Sequence, residues 1–170
     1  MDLTLGLSNG SMQQPTLDLL SKIGLEIRFQ GRNSRASLAG LSLFDQVILM
    51  RPQDIPTALM QSHIDCGICG LDWIVETELD PSFAGPTLIR IKSLPYSRAI
   101  RQPVTVILFG RPDSPPLGPG ARISSEFPNL TRKHCPEADI SFSHGSTEIK
   151  VALGQFDYGV AVTETGASLL

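Results

Sequence analysis

The stretch ISFSHGSTEIKVALGQFDYGVAVTETGAS, residues 140–168, decides the fold. Ile140–Phe142 predicts a strand. Ser146–Leu153 predicts a helix, with Ser146 placed to cap it and Glu148 in its first turn. Tyr158–Val162 is a second strand, and Glu164–Leu170 opens a further helix. Strand, helix, strand and helix in such short order predict an α/β fold with mainly parallel sheet. The turn Thr163-Glu164-Thr165-Gly166-Ala167-Ser168 joins a strand to a helix start. There it offers backbone N–H groups, hydroxyl donors and the positive end of a helix dipole, the elements of a phosphate cradle. The same residues also suit an ordinary capped helix start. Gly145-Ser146-Thr147-Glu148 repeats the pattern, with simple capping the stronger reading, and Ser8-Asn9-Gly10-Ser11 is a third loop of this type.

The rest of the chain continues the alternation. Leu3, Leu5 and Leu7 alternate with Thr4 and Gly6, a strand pattern, while Leu17, Leu19, Leu20 and Ile23 have helical spacing that Gly24 ends. Val47–Met50 predicts a buried strand. Asp54, ahead of Pro56, opens a helix to about Ser62. Ile64–Ile68 predicts a strand and Leu71–Glu78 a helix. Leu88–Lys92 and Val104–Phe109 are two further strand candidates. Arg111–Gly120 holds four Pro and two Gly and predicts a surface loop. Ala121–Ser124 is a strand and Asn129–Cys135 a helix. Ser93–Pro103 has no clear period and predicts a hinge (residues 93–103) between a first lobe, 1–92, and a second lobe, 104–170.

The 170 residues are 41% apolar and 18% charged, enough to bury a core and too little charge for a disordered tail. A net charge of −3 weighs against coating nucleic acid or an anionic membrane. Ten of the fourteen basic residues are Arg, the side chain suited to bidentate phosphate contacts, so a small anionic ligand remains open. No window approaches the roughly 20 apolar residues of a membrane span. Met1-Asp2 opens without a basic and then apolar leader, so a cytoplasmic location with reduced thiols is expected for Cys66, Cys69 and Cys135.

Cys66-Gly67-Ile68-Cys69 has redox-motif spacing but falls in and just after a predicted strand, with no second pair for zinc, so both thiols read as packing. His63, His134 and His144 show no ligand spacing, and no metal site is expected. Arg28, Arg32, Arg35 and Arg51 flank helix starts in the first half. They are either solvated surface or convergent on a pyrophosphate-sized anion.

Four segments, in order, resemble one family. Arg51-Pro52-Gln53-Asp54-Ile55-Pro56 followed by Ile64-Asp65-Cys66-Gly67-Ile68-Cys69-Gly70-Leu71-Asp72 resembles the first lobe of ATP phosphoribosyltransferase, the enzyme that opens histidine biosynthesis. Arg122 to Arg132 resembles the start of its second lobe. Gly145–Glu148 and Thr163–Leu169 resemble its two ligand-facing turns. The resemblance implies two lobes around a cleft, like a type II periplasmic binding protein, with ATP and phosphoribosyl diphosphate bound between them. It implies that Thr163, Glu164, Thr165, Gly166, Ala167 and Ser168 hold the phosphate and ribose. Ser8, Asn9, Gly10, Ser11, Asp54, Gly70, Asp72, Gly145, Ser146 and Glu148 would also face ligand. N1 of adenine would displace pyrophosphate carrying Mg²⁺, with no protein nucleophile, through orientation and charge stabilisation. It further implies an oligomer with a regulatory subunit related to a class II aminoacyl-tRNA synthetase.

Two departures stand out. The family's Pro-Lys-Gly-Arg-like loop is matched by Ser8–Ser11, with neither basic residue. Its usual acid ahead of the cradle is matched by Ala161, so ribose capture should weaken. Two lost charge-assisted contacts of about 1.5–3 kcal/mol each amount to a hundredfold or more in rate. Arg32, Arg35 or Arg51 are the candidate substitutes on pyrophosphate. The family's C-terminal return segment has no counterpart in residues 1–170. The leading expectation is therefore a cytoplasmic phosphoribosyltransferase of this type. Its rivals are a catalytically silent paralogue that senses a phosphorylated metabolite or nucleotide, and a transferase with another acceptor.

Overall fold

The structure is a computed structural model, and it describes residues 3–29, 35–39, 43–83, 87–94, 96 and 104–163. The chain divides into two compact units, Met1–Arg101 and Gln102–Leu170.

In the first unit, β1 (Thr4–Ser8), α1 (Gln13–Ser21), β2 (Glu26–Phe29), β3 (Arg35–Ala39), β4 (Gln46–Met50), α2 (Asp54–Met60), β5 (Cys66–Ile68) and α3 (Leu71–Glu78) follow in order. The sheet order is β2-β3-β4-β1-β5. β1 runs parallel to β4 and β5, and β2 and β3 form an antiparallel extension. Alternation buries Leu5, Leu7 and Val47 against Leu20 of α1. The facing pair Gly6 and Gly67 lies on the opposite side, where a Cβ would stand 2.5 Å from Ile64 Cδ1 and 2.5 Å from Ile55 Cγ2 respectively. Glycine there lets α2 press onto the sheet. Gly24, at φ +80°, ends α1, and Leu25 N–H donates to Leu20 O at 3.1 Å, the six-to-one bond of a Schellman stop.

In the second unit, β6 (Thr105–Gly110), β7 (Arg122–Ser125), α4 (Pro128–His134), β8 (Asp139–Phe142), α5 (Thr147–Ala152) and β9 (Tyr158–Thr163) build a sheet of order β6-β9-β7-β8. β7 is parallel to β8 and β9, and β6 is antiparallel to β9. Pro128, whose fixed φ and missing N–H suit a first helical position, opens α4, and Arg132, Lys133 and His134 in the last turn match the negative end of the dipole. The α/β class and the parallel core of each sheet agree with the sequence. Two details differ. β2 and β3 add an unexpected hairpin, and Leu88–Lys92 is not a strand. Ile89 and Ile91 there are 87% and 80% exposed, and no neighbouring strand pairs with them among the described residues. β-branched residues favour a pleated surface only where one exists.

Asp157 fastens the far end of the second unit. Its carboxylate accepts from Arg122 N at 2.9 Å, Nε at 3.1 Å and Nη2 at 2.8 Å. Arg111 Nη1 donates to Val151 O at 2.6 Å, tying the start of the Pro-rich loop to the end of α5. The hydrogen bonds from the Arg122 side chain and backbone hold the Asp157 carboxyl at about 2, below its ordinary 3.8. A depressed folded-state value gives stability that is present above the unfolded value and lost as pH falls through the folded one. Asp157→Asn should therefore lower the melting temperature at pH 7 and flatten the loss of stability between about pH 4 and pH 2. Thermal melts across that range check both.

Candidate functional site

The carboxyl ends of parallel strands are where open α/β sheets leave a crevice, because the chain turns away there to either side. In the second unit a hollow of about 220 Å³ opens at the ends of β7 and β9. It is lined by Ala161, Val162 and Thr163 of β9 and by Ile107 and Phe109 of β6. Glu126, one residue past β7, forms one wall, and its N–H donates to Val160 O at 3.2 Å. Ser146 and Glu148, from the turn into α5, form the other.

Gly159 sets how closely these walls approach. A Cβ there would enter the Phe109 ring and stand 2.8 Å from Thr147 Cγ2. With glycine, Thr147 is fully buried against β9 and α5 brings Glu148 to the rim. Gly159→Ala should cost about 1–2 kcal/mol from overpacking, which chemical denaturation measures as a lower midpoint with an unchanged slope.

The α5 turn is left-handed at two successive residues, Gly145 at φ +111° and Ser146 at φ +54°. The expected side-chain cap by Ser146 is absent. Ser146 occupies the cap position, but its left-handed backbone replaces the extended geometry a capping side chain needs, and it lines the hollow instead.

In the first unit the carboxyl ends of β4, β1 and β5 also lie at one edge of their sheet. This gathers many of the remaining sequence candidates. Ser8 is buried and donates to Ile68 O at 3.3 Å, and Asn9 N–H donates to Met50 O at 2.9 Å. Gly10 (φ +74°) and Ser11 lead into α1. Arg51 and Asp54, both exposed, follow β4, with Asp54 N–H donating to Arg51 O at 2.9 Å. Gly70 precedes α3, and the Asp72 carboxylate folds back over it so closely that a Cβ at Gly70 would collide with Oδ1. Burial, with Asp72 adding, pushes the Cys69 thiol up to about 12, which keeps it protonated and unreactive at neutral pH. Arg35 lies on β3, two strands away from β1 in sheet order. Arg32, Glu164, Thr165, Gly166, Ala167 and Ser168 lie outside the described residues, as do Pro95 and 97–103 of the expected hinge. Tyr96 of that segment shares a 2.8 Å hydrogen bond with Thr16 of α1.

The structure adds Glu126, Ile107 and Phe109 to the site. A carboxylate two residues past the predicted strand Ala121–Ser124 was the one available signal for Glu126. No group of three or more His, Cys, Asp or Glu side chains that could hold a metal ion occurs among the described residues. No helix among them is long and apolar enough to cross a membrane.

The model of one protein family, described as ATP phosphoribosyltransferase, matches residues 51–170. The chain is 34% identical to an ATP phosphoribosyltransferase of Desulforudis audaxviator over 177 aligned positions, covering 99% of this chain and 58% of that protein. It is 35% identical to one of Chlorobaculum parvum, covering 98% and 56%. The chain thus spans a little over half the length of the relatives it matches. Among solved structures it is similar to the ATP phosphoribosyl transferase (HisG:HisZ) complex from Thermotoga maritima, with TM-score 0.78 and 26% identity over 98% of this chain and 77% of that one.

Proposed function

The chain belongs to the ATP phosphoribosyltransferase family, and from that premise we propose that it transfers the phosphoribosyl group of phosphoribosyl diphosphate to N1 of ATP, releasing pyrophosphate. The observation that carries this reading is the hollow at the ends of β7 and β9, whose lining includes Glu126, Glu148 and Ala161. Its chemistry suits a ribose. Glu126 and Glu148 can accept hydrogen bonds from sugar hydroxyls and oppose the positive charge that grows on the ring as the anomeric C–O bond to pyrophosphate breaks. Carboxylates repel phosphate, so the 5-phosphate would extend past Thr163 toward residues 164–168, and the diphosphate would leave away from the acidic walls.

No protein nucleophile is required, since the adenine nitrogen supplies the electron pair and pyrophosphate takes the pair of the broken bond. The protein's part is to hold donor and acceptor in line. Mg²⁺ would arrive on the diphosphate. With Glu126 and Glu148 turned to the sugar, the Mg²⁺ would be held by the diphosphate's own oxygens and water, the ligands it commonly keeps. On this reading Arg35, Arg51 and Arg32 are candidate contacts to the departing pyrophosphate, and residues 93–103 join the two lobes. The similar solved structure is a HisG:HisZ complex, which supports an assembly with a second, regulatory subunit; a synthetase-like partner and a cytoplasmic location belong to the same proposal.

The test mixes the protein with ATP, phosphoribosyl diphosphate, Mg²⁺ and pyrophosphatase and follows absorbance of the phosphoribosyl-ATP product. Sustained, donor-dependent formation is expected. Donor binding without turnover would replace this reading with the silent paralogue.

A further inference from the structure

The wall of the hollow that carries Ser146 and Glu148 rests on a polar network whose hub is a single buried hydroxyl. Ser143, just past β8, has its N–H bound to Ser125 O at 2.8 Å and is 2% exposed. Its Oγ accepts from Gly145 N–H at 3.3 Å and from Lys150 Nζ at 2.8 Å. It also lies 3.1 Å from Gly145 O and 3.0 Å from Thr147 Oγ1.

A hydroxyl has one proton and two lone pairs. With the Lys150 ammonium on one lone pair and Gly145 N–H on the other, the Ser143 proton must point to Gly145 O or Thr147 Oγ1. Both choices close the loop over the left-handed residues Gly145 and Ser146. A left-handed serine is disfavoured by its Cβ, so this conformation persists only if its surroundings impose it. Lys150 sits one turn after Ser146 on α5, and its N–H donates to Ser146 O at 3.3 Å. The side chain reaches back along the helix to Ser143, so the cation ties the last turn of α5 to the segment just past β8.

We propose that Lys150 is a positioning residue: by donating to Ser143 Oγ it fixes the Gly145–Ser146 turn in the form that presents Ser146 and Glu148 to the hollow. The inference rests on the reading of that hollow as the donor's ribose site. Lys150 acts through Ser143 and contacts no reacting atom. A methionine keeps the length and apolar stem of the side chain but returns one lone pair of Ser143 to any local donor, so the turn samples other conformations. An arginine restores the charged donor.

Two measurements on the full chain test it, amide hydrogen exchange at Gly145 and the Kd for phosphoribosyl diphosphate with Mg²⁺. Lys150→Met should speed Gly145 exchange and raise the Kd, each about tenfold, with the melting temperature nearly unchanged. Lys150→Arg should recover most of both. Ser143→Ala should reproduce the exchange change from the other partner. Unchanged exchange in Lys150→Met overturns the inference, as does faster exchange with wild-type affinity. A fall in melting temperature that Lys150→Arg does not relieve shows a merely structural lysine and overturns it too. If the wild-type chain itself does not bind the donor, the ribose-site reading fails, and Gly145 exchange alone decides whether Lys150 holds the turn.

Discussion

Glu148→Gln is expected to reduce kcat/KM for phosphoribosyl diphosphate by about a hundredfold, close to 2.7 kcal/mol. Glutamine matches glutamate in size, so the turn into α5 and the packing of Thr147 beneath it should persist and the melting temperature should stay near the wild-type value. What is lost is the negative charge on the rim of the hollow. A carboxylate there acts twice. It accepts from a sugar hydroxyl as a charge-assisted bond worth about 1.5–3 kcal/mol. It also favours the ring's positive charge in the transition state over the neutral ground state, so the defect should appear in kcat as well as KM. Steady-state kinetics of the two proteins side by side make the measurement. A variant with wild-type kcat/KM would remove Glu148 from the chemistry.

The opposite direction is expected at position 161. Ala161 lines the hollow together with Glu126 and Glu148 and faces Ile107 across the β6–β9 ladder. Ala161→Asp places an acid where β9 passes beneath the sugar, and a new charge-assisted bond should lower the KM for the donor by about thirtyfold, near 2 kcal/mol. Adding a third carboxylate beside Glu126 and Glu148 also raises mutual repulsion, so the free protein should lose stability while the donor-bound protein recovers it. Donor titrations followed by thermal melts separate the two effects. An unchanged KM would show that the ribose does not lie over position 161.

The parts of this fold that sequence reading captured are those whose signal is local. Leu71–Glu78 forms α3 over its whole predicted length, and Val47–Met50 lies within β4, because one period or one apolar run suffices to define each. The Gly24 stop is equally local, since a positive φ is a property of one residue. The β2–β3 hairpin is different. Glu26-Ile27-Arg28-Phe29 does alternate, but a four-residue run says nothing about which strand pairs with it. Leu88–Lys92 shows the converse error, since apolar content does not make a strand without a neighbour.

The same division holds at the site. Gly145, Ser146 and Glu148 were legible as a turn into a helix, although the expected serine cap was not the role Ser146 took. Glu126 was not legible, because its place in the hollow depends on the carboxyl end of β7 meeting β6 across β9, an arrangement set by strand order. Ser143 and Lys150 were hidden for a similar reason. A buried hydroxyl becomes a hub only once the helix places a lysine over it.

On the proposed function, the hollow at the ends of β7 and β9 seats the donor's ribose, and everything expected of Glu148 and Ala161 depends on that placement. A crystal structure of the chain with phosphoribosyl diphosphate and Mg²⁺ tests it most directly. The sugar is expected over Ala161, with its hydroxyls toward Glu126 and Glu148. Sugar density at any other place, with this hollow filled only by water at saturating donor, would contradict it.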